Sequence, residues 1–287
     1  MAVTPYTIDS PMGGYHYGVK QLRNGITIDI PATHPQVFDP SVLESNWNDL
    51  DVYDIDTVQK FPLGTVLKQN RRVWMYASFA GTVTVGDMVV SEADDDGYDA
   101  LAPVAADAGV TEFEISPPGS GTDITINEFA GGYVEAQANG TPGYSYEIMA
   151  NDILDMNGSP TMTVRIFGNT AVALSTSDDL ALIKHPAKDV VIAPTTLLSP
   201  TLGVCLTAQA ADQFGWVGVK GPHTVYFEGT VVDGAEVRHS ETTAGSVAGM
   251  DYTESTAESD SGPIGRLRNY SGTTTFGLVD LYGKGIV

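Results

Sequence analysis

GVCLTAQAADQFGWVGVKGPHTVYFEGTVVDGAEV, residues 203–237, decides the fold. Trp216, Val217 and Val219 are interrupted by Gly215 and Gly218. Beyond Gly221-Pro222, Val225 and Phe227 alternate with Thr224, Tyr226 and Glu228. Period-two alternation between Gly and Pro punctuation predicts half-buried antiparallel strands. The expected order is a short strand, an Ala-rich loop, an aromatic strand, a turn at Gly221-Pro222, and two further strands. His223 is then a turn residue.

Upstream, residues 64–90 (GTVLKQNRRVWMYASFAGTVTVGDMVV) repeat the order: a Gly-led strand, a polar turn, a Trp/Tyr strand, then short Thr/Val pieces. Two readings fit. The segments are related β-modules, or they are unrelated hairpin groups with a shared β vocabulary. The turn QNRR carries Arg71 and Arg72, and two charges alone do not make a nucleic-acid patch.

Between the modules, residues 111–200 break into pieces of about 5–8 residues such as DITINEF, GGYVEAQ, YSYEIMAND and TMTVRIFG. Asn139-Gly140, Pro142-Gly143 and Asn157-Gly158 mark turns. No long helix can be drawn. The fold class expected is all-β, mainly antiparallel, with barrel or sandwich domains, only short helices and an extended N-terminal arm. The division is 1–60 (arm), 61–110 (first Gly-rich module), 111–200 (central domain) and 201–287 (second module and C-terminal strands).

In the arm, ITIDI is a possible strand ended by Pro31, and Ser41 with Glu44 forms a capping box for a short helix bearing Trp47. Aromatic residues in such a segment argue that it docks, on its own β-body or on a neighbouring subunit. Tyr15, Tyr17, Trp47 and Tyr53 are the candidate subunit or capsid contacts. On the docking reading, deleting residues 1–60 leaves a folded body that no longer attaches to its assembly.

The runs quoted above, with GYVEAQANGTPGYSYEIMAND and the C-terminal AGSVAG and GPIGRL, resemble tailed-bacteriophage virion proteins of the capsid decoration or cement type. The resemblance covers roughly residues 60–287. It implies a non-enzymatic structural protein that binds the capsid exterior and stabilises it, with the major capsid protein and copies of itself, as a homotrimer, for partners. It implies a place on the virion after synthesis in the host cytoplasm. It carries no catalytic residues and no cofactor.

Composition narrows the alternatives. Thirty-six acidic residues against fourteen basic give a net charge of −22, which disfavours nucleic acid and anionic membranes as main partners. The N-terminus has no signal-peptide pattern, and the longest uncharged run, 190–211, contains Pro194 and Pro200 and reads as strands. The lone Cys205 reads as a small buried hydrophobe.

No nucleophile, phosphate-loop or dinucleotide motif is present, and the five histidines lack metal-ligand spacing. Residues 92–114 hold eight acids, and Glu92, Asp94, Asp96 and Gly97 resemble half a calcium loop. Position twelve is Pro103, so the pattern fails, and an acidic turn into a short Ala-rich helix stopped at Pro103 is the plainer reading. A second class of function is a carbohydrate-binding or host-attachment module, for which Tyr144 and Tyr146 are the candidate surface aromatics. A third is a β-rich hydrolase with a carboxylate pair in a cleft, one acid with a raised pKa.

Overall fold

A computed structural model gives the fold, describing residues 18–22, 25–32, 50–93, 96–138, 143–250, 262–269 and 276–283. Tyr15, Tyr17, Trp47 and the expected helix after Ser41 lie outside the described residues. The protein is all-β and antiparallel throughout its strand ladders. The N-terminal strands are β1 (Gly18–Gln21), β2 (Thr27–Ile30), β3 (Val66–Gln69), β4 (Arg72–Phe79) and β5 (Met88–Val90). A small lobe follows, with β6 (Glu112–Ile115), β7 (Tyr133–Ala138), β8 (Ser145–Asn151), β9 (Met162–Ile166) and β10 (Asp179–Ile183). The chain then returns through β11 (Val191–Ile192), β12 (Thr201–Cys205), β13 (Gln213–Tyr226), β14 (Glu236–His239), β15 (Val247–Gly249), β16 (Gly265–Asn269) and β17 (Phe276–Leu281).

The small lobe is a five-stranded sheet of order β10-β7-β8-β9-β6. Its inward positions, among them Phe113, Val134, Ile148, Val164 and Leu180, pack with loop residues Phe129, Leu154 and Met156 into one core. Residues 100–106 differ from the expected short helix. Leu101, Pro103 and Ala106 instead make single bridges to Leu180, Ile115 and Leu174. Leu101 is fully buried, and an extended path seats it on the sheet while satisfying its backbone.

The other twelve strands form one sheet, in which the two Gly-rich modules are direct neighbours. β4 pairs with β13, placing Tyr76 opposite Trp216 and Trp74 opposite Gly218. Both strands are buried on both faces. Met75, Ala77, Val217 and Val219 enter one core, while Trp74, Tyr76 and Trp216 enter another. That explains the near-continuous apolar run VWMYASFA. A strand covered on both sides need not alternate.

The second aromatic segment departs from expectation at Gly221-Pro222. Instead of a turn, β13 runs through it for 14 residues, leaving β4 and taking up β17. Gly221 has φ +85°, and a Cβ there would lie 1.9 Å from the Arg71 carbonyl oxygen. Pro222 has no N–H to donate, and its carbonyl accepts from Arg72 Nε at 2.9 Å. Together they bend the strand from one layer to the next. His223 is therefore a buried strand residue. Its Nε2 meets the Lys220 carbonyl at 3.0 Å and its ring packs edge-on to Trp74.

Past the bend, β13, β17, β16, β14 and β15 surround Val225, Val237, Leu267 and Val279. Phe227 bridges Val247 of β15, so the ends of this run meet and the sheet curls into a small barrel.

The described parts of residues 1–60 are built into the large sheet. β2 pairs with β3, and Ile28, Ile30, Leu50 and Val52 pack with Phe61, Leu67, Trp74 and Trp216. These described parts follow the first of the two docking readings, on the chain's own β-body, because β3 and its neighbours have an apolar face that β2, Leu50 and Val52 help to cover. Deleting residues 1–60 is now expected to unfold or aggregate the chain. The milder Ile28→Ala, at a fully buried position, is expected to cost about 2–5 kcal/mol in urea unfolding.

Candidate functional site

Two features stand out: a projecting apolar run on residues 50–60 and a cleft between the lobes. The run is held by Asp56. Its backbone exchanges hydrogen bonds with Phe214 (2.9 and 2.8 Å), and its carboxylate accepts from the Tyr76 hydroxyl at 2.9 Å and pairs with Lys60 at 2.5 Å. Burial pushes the Tyr76 phenol well above its ordinary pKa, so it stays a neutral donor. On this clamped segment Tyr53, Ile55 and Val58 point outward, 56%, 47% and 72% exposed. Three large apolar side chains on six residues thus stand exposed on a segment whose Asp56 is tied to the body.

Tyr53 is the one sequence-predicted contact among the described residues. Ile55 and Val58 were missed because LDVYDIDTV, residues 50–58, mixes three aspartates with apolar residues, and its alternation gives no sign of which side faces water.

The cleft, about 590 Å³, lies between the β4/β13 end and the outer face of the small sheet, with Ser78, Glu147, His185, Lys188 and Asp189 among its walls. Among the described residues, three of the five left-handed non-glycine positions, Asn127, Asp189 and Asp212, line it. Asn and Asp take that conformation at least cost.

Lys184 reaches Glu92 at 2.6 Å, Asp189 at 3.3 Å and Glu128 at 3.4 Å. Burial opposes its charge, but the carboxylates, Glu92 foremost, outweigh that and hold its pKa above the ordinary value. Lys188 donates to the Glu128 carbonyl at 2.7 Å, and burial lowers its pKa. His185 is brought down to about 4, by burial first and by the Lys188 charge second, and its Nδ1 accepts from the Ala187 amide at 3.0 Å. Enclosure by the cleft wall raises the Glu147 carboxyl.

Both lysines and His185 are thus engaged in joining the lobes. Glu147, with its raised carboxyl, shares this cleft with Asp189 and Asp212, the kind of acid grouping that the hydrolase reading names.

The remaining candidates fall as follows. Tyr144 is exposed, but Tyr146 turns inward onto the small-lobe core and its hydroxyl accepts from the Ala171 amide at 3.0 Å. Tyr146 shares the core-facing side of β8 with Ile148, whereas Tyr144 lies just before the strand and stays exposed, so the two tyrosines form no stacking platform. Glu92 is taken by Lys184, and Asp94 lies outside the described residues. Among the described residues, no group of three His, Cys, Asp or Glu side chains is placed to hold a metal ion. Cys205 is buried, with its thiol donating to the Thr207 carbonyl at 2.8 Å, and burial raises its pKa to about 12. No described helix is long and apolar enough to cross a membrane.

Fold and surface together define a two-lobed all-β protein with an exposed apolar run at Tyr53, Ile55 and Val58. No protein-family model, curated protein or solved structure matches the sequence.

Proposed function

We propose that this chain is a non-enzymatic structural protein of a tailed-phage head, a decoration or cement protein that binds the capsid exterior and stabilises it. Its partners on this reading are the major capsid protein and further copies of itself. The observation that carries the proposal is the run Tyr53, Ile55 and Val58, apolar and exposed on a segment that Asp56 clamps to the body. A rigid apolar surface of this kind loses little entropy on docking, and many copies on one shell multiply a modest contact. The sequence resemblance over residues 60–287 supports the same reading.

The test is co-sedimentation with phage heads that lack the protein. The wild-type chain is expected to pellet with the heads. The triple variant Tyr53→Ala/Ile55→Ala/Val58→Ala is expected to keep its melting temperature and lose binding by at least roughly tenfold, since central apolar anchors dominate such contacts. A wild-type chain that stays in the supernatant overturns the proposal.

A further inference from the structure

The charge of this protein is strongly polarised. Residues 92–183 hold sixteen acidic residues and a single base, Arg165, so about two thirds of the net charge of −22 is in the small lobe and its entry loop. Bases gather elsewhere. The β3–β4 turn brings Lys68, Arg71 and Arg72, β13 brings Lys220, and β16 brings Arg266 and Arg268 to one face around Asp280. These are six of the fourteen basic residues.

Arg71 reaches Asp280 at 2.8 Å and Arg268 pairs with the same carboxylate, yet they remain 68% and 49% exposed. Lys68, Asn70, Arg71, Lys220 and Gly221 edge a depression of about 380 Å³ with Asp280 in its wall. Among the described residues, counter-charges on the face are few: Asp280, Asp29 at 3.9 Å from Lys68, and Glu236 at 3.7 Å from Arg266.

The two poles cannot meet within one molecule. β4 begins at the basic face with Arg72 and ends at the interlobe cleft with Ser78 and Phe79. Its eight residues separate the two ends by about 23 Å at strand rise. β13 runs in reverse over about 20 Å at strand rise, from Phe214 at the cleft to Lys220 at the basic face.

We propose that the basic face around Asp280 docks the acidic small lobe of a second copy of this chain, in a head-to-tail contact. The inference does not rest on the phage-head reading. The occupant fits because the lobe is the densest negative surface available at the protein's own concentration, and Arg71 and Arg268 offer planar guanidinium groups for its carboxylates. The contact joins unlike faces, so repetition closes a ring or extends a chain.

Sedimentation velocity on the full chain tests this. Assemblies larger than a monomer are expected in about 50 mM NaCl, weakening roughly tenfold or more in about 500 mM, because exposed charges are screened within a few ångström at high salt. R71E/R268E is expected to stay monomeric, and K220E/R266E, which leaves both Asp280 pairs in place, to do the same. Thermal melts check that both are folded.

A reversed-face copy still carries the acidic lobe. Added to wild-type protein, it should therefore join and terminate wild-type assemblies, which a contact between like faces does not allow. A monomer at both salt concentrations overturns the proposal. So do assemblies indifferent to salt and to both double variants. A monomer retained on immobilised heparin also overturns it and gives the face to a different polyanion.

Discussion

Gly221→Ala is expected to destabilise the protein by about 3–5 kcal/mol, the range of a backbone clash added to a left-handed conformation. At φ +85° an L side chain is strained before any contact is counted. The added Cβ would then sit 1.9 Å from the Arg71 carbonyl oxygen and 2.8 Å from its carbon. These are backbone atoms of the β3–β4 turn, so no side chain can rotate away. Relief requires β13 to move off β4, and β13 joins the double-cored sheet to the barrel.

The loss is expected as a drop of roughly 10 °C or more in melting temperature for a chain of this size. Gly229→Ala provides the control. Its φ is +72°, but nothing lies within 4 Å of the new Cβ, so only the conformational cost of about 1 kcal/mol applies. Equal losses in the two variants would show that the close approach at residue 221 is not the constraint.

Mild acid is expected to destabilise the fold before most carboxylates titrate. Burial lowers His223 and His239 from 6.5 to about 4 in the folded chain. Both are almost fully enclosed, His239 with Nε2 2.6 Å from Thr201 Oγ1. Unfolding returns them to water, where they bind protons near pH 6.5. The unfolded state therefore holds more protons between pH 6.5 and about 4, and stability falls as pH falls through that window.

Each fully buried histidine contributes a slope approaching about 1.4 kcal/mol per pH unit, so the pair removes about 2–4 kcal/mol by pH ~5. His185, lowered to about 4 by burial first and the Lys188 charge second, adds to the same trend. Urea unfolding at several pH values reads the slope, and His239→Asn should lower it by about one proton. Stability that stays level from pH 7 to 5 would mean that these rings accept protons in the folded state.

The all-β class, the antiparallel pairing and the buried Cys205 were legible because alternation and turn residues are local signals. Gly221-Pro222 misled for the same reason. In isolation the pair reads as a turn, and only the neighbours β4 and β17 make it a bend within one strand. The helix expected before Pro103 failed similarly, since Leu101 is held by Leu180, almost eighty residues away in sequence.

The candidate surfaces were less legible than the fold. Arg71 and Arg72 are two charges in a turn when the sequence is read alone. They become part of a six-base face only when β13 and β16 are laid beside them. The alternating arginines of GRLRN were the available signal, since Arg266 and Arg268 must share a strand face. Tyr146 looked equivalent to Tyr144, but the sheet core selects which tyrosine is covered.

The sequence by itself determined the strand-forming segments, the acidic character, its concentration between residues 92 and 183, and the punctuation by Gly and Pro. Those properties depend on neighbours a few residues apart. The tertiary structure alone decided that the two Gly-rich modules pair through β4 and β13, that β2, Leu50 and Val52 join their second core, and that Tyr53, Ile55 and Val58 are all exposed. Those depend on contacts between distant segments, whose free energy comes from burying shared apolar surface, and no local pattern records which partner supplies it.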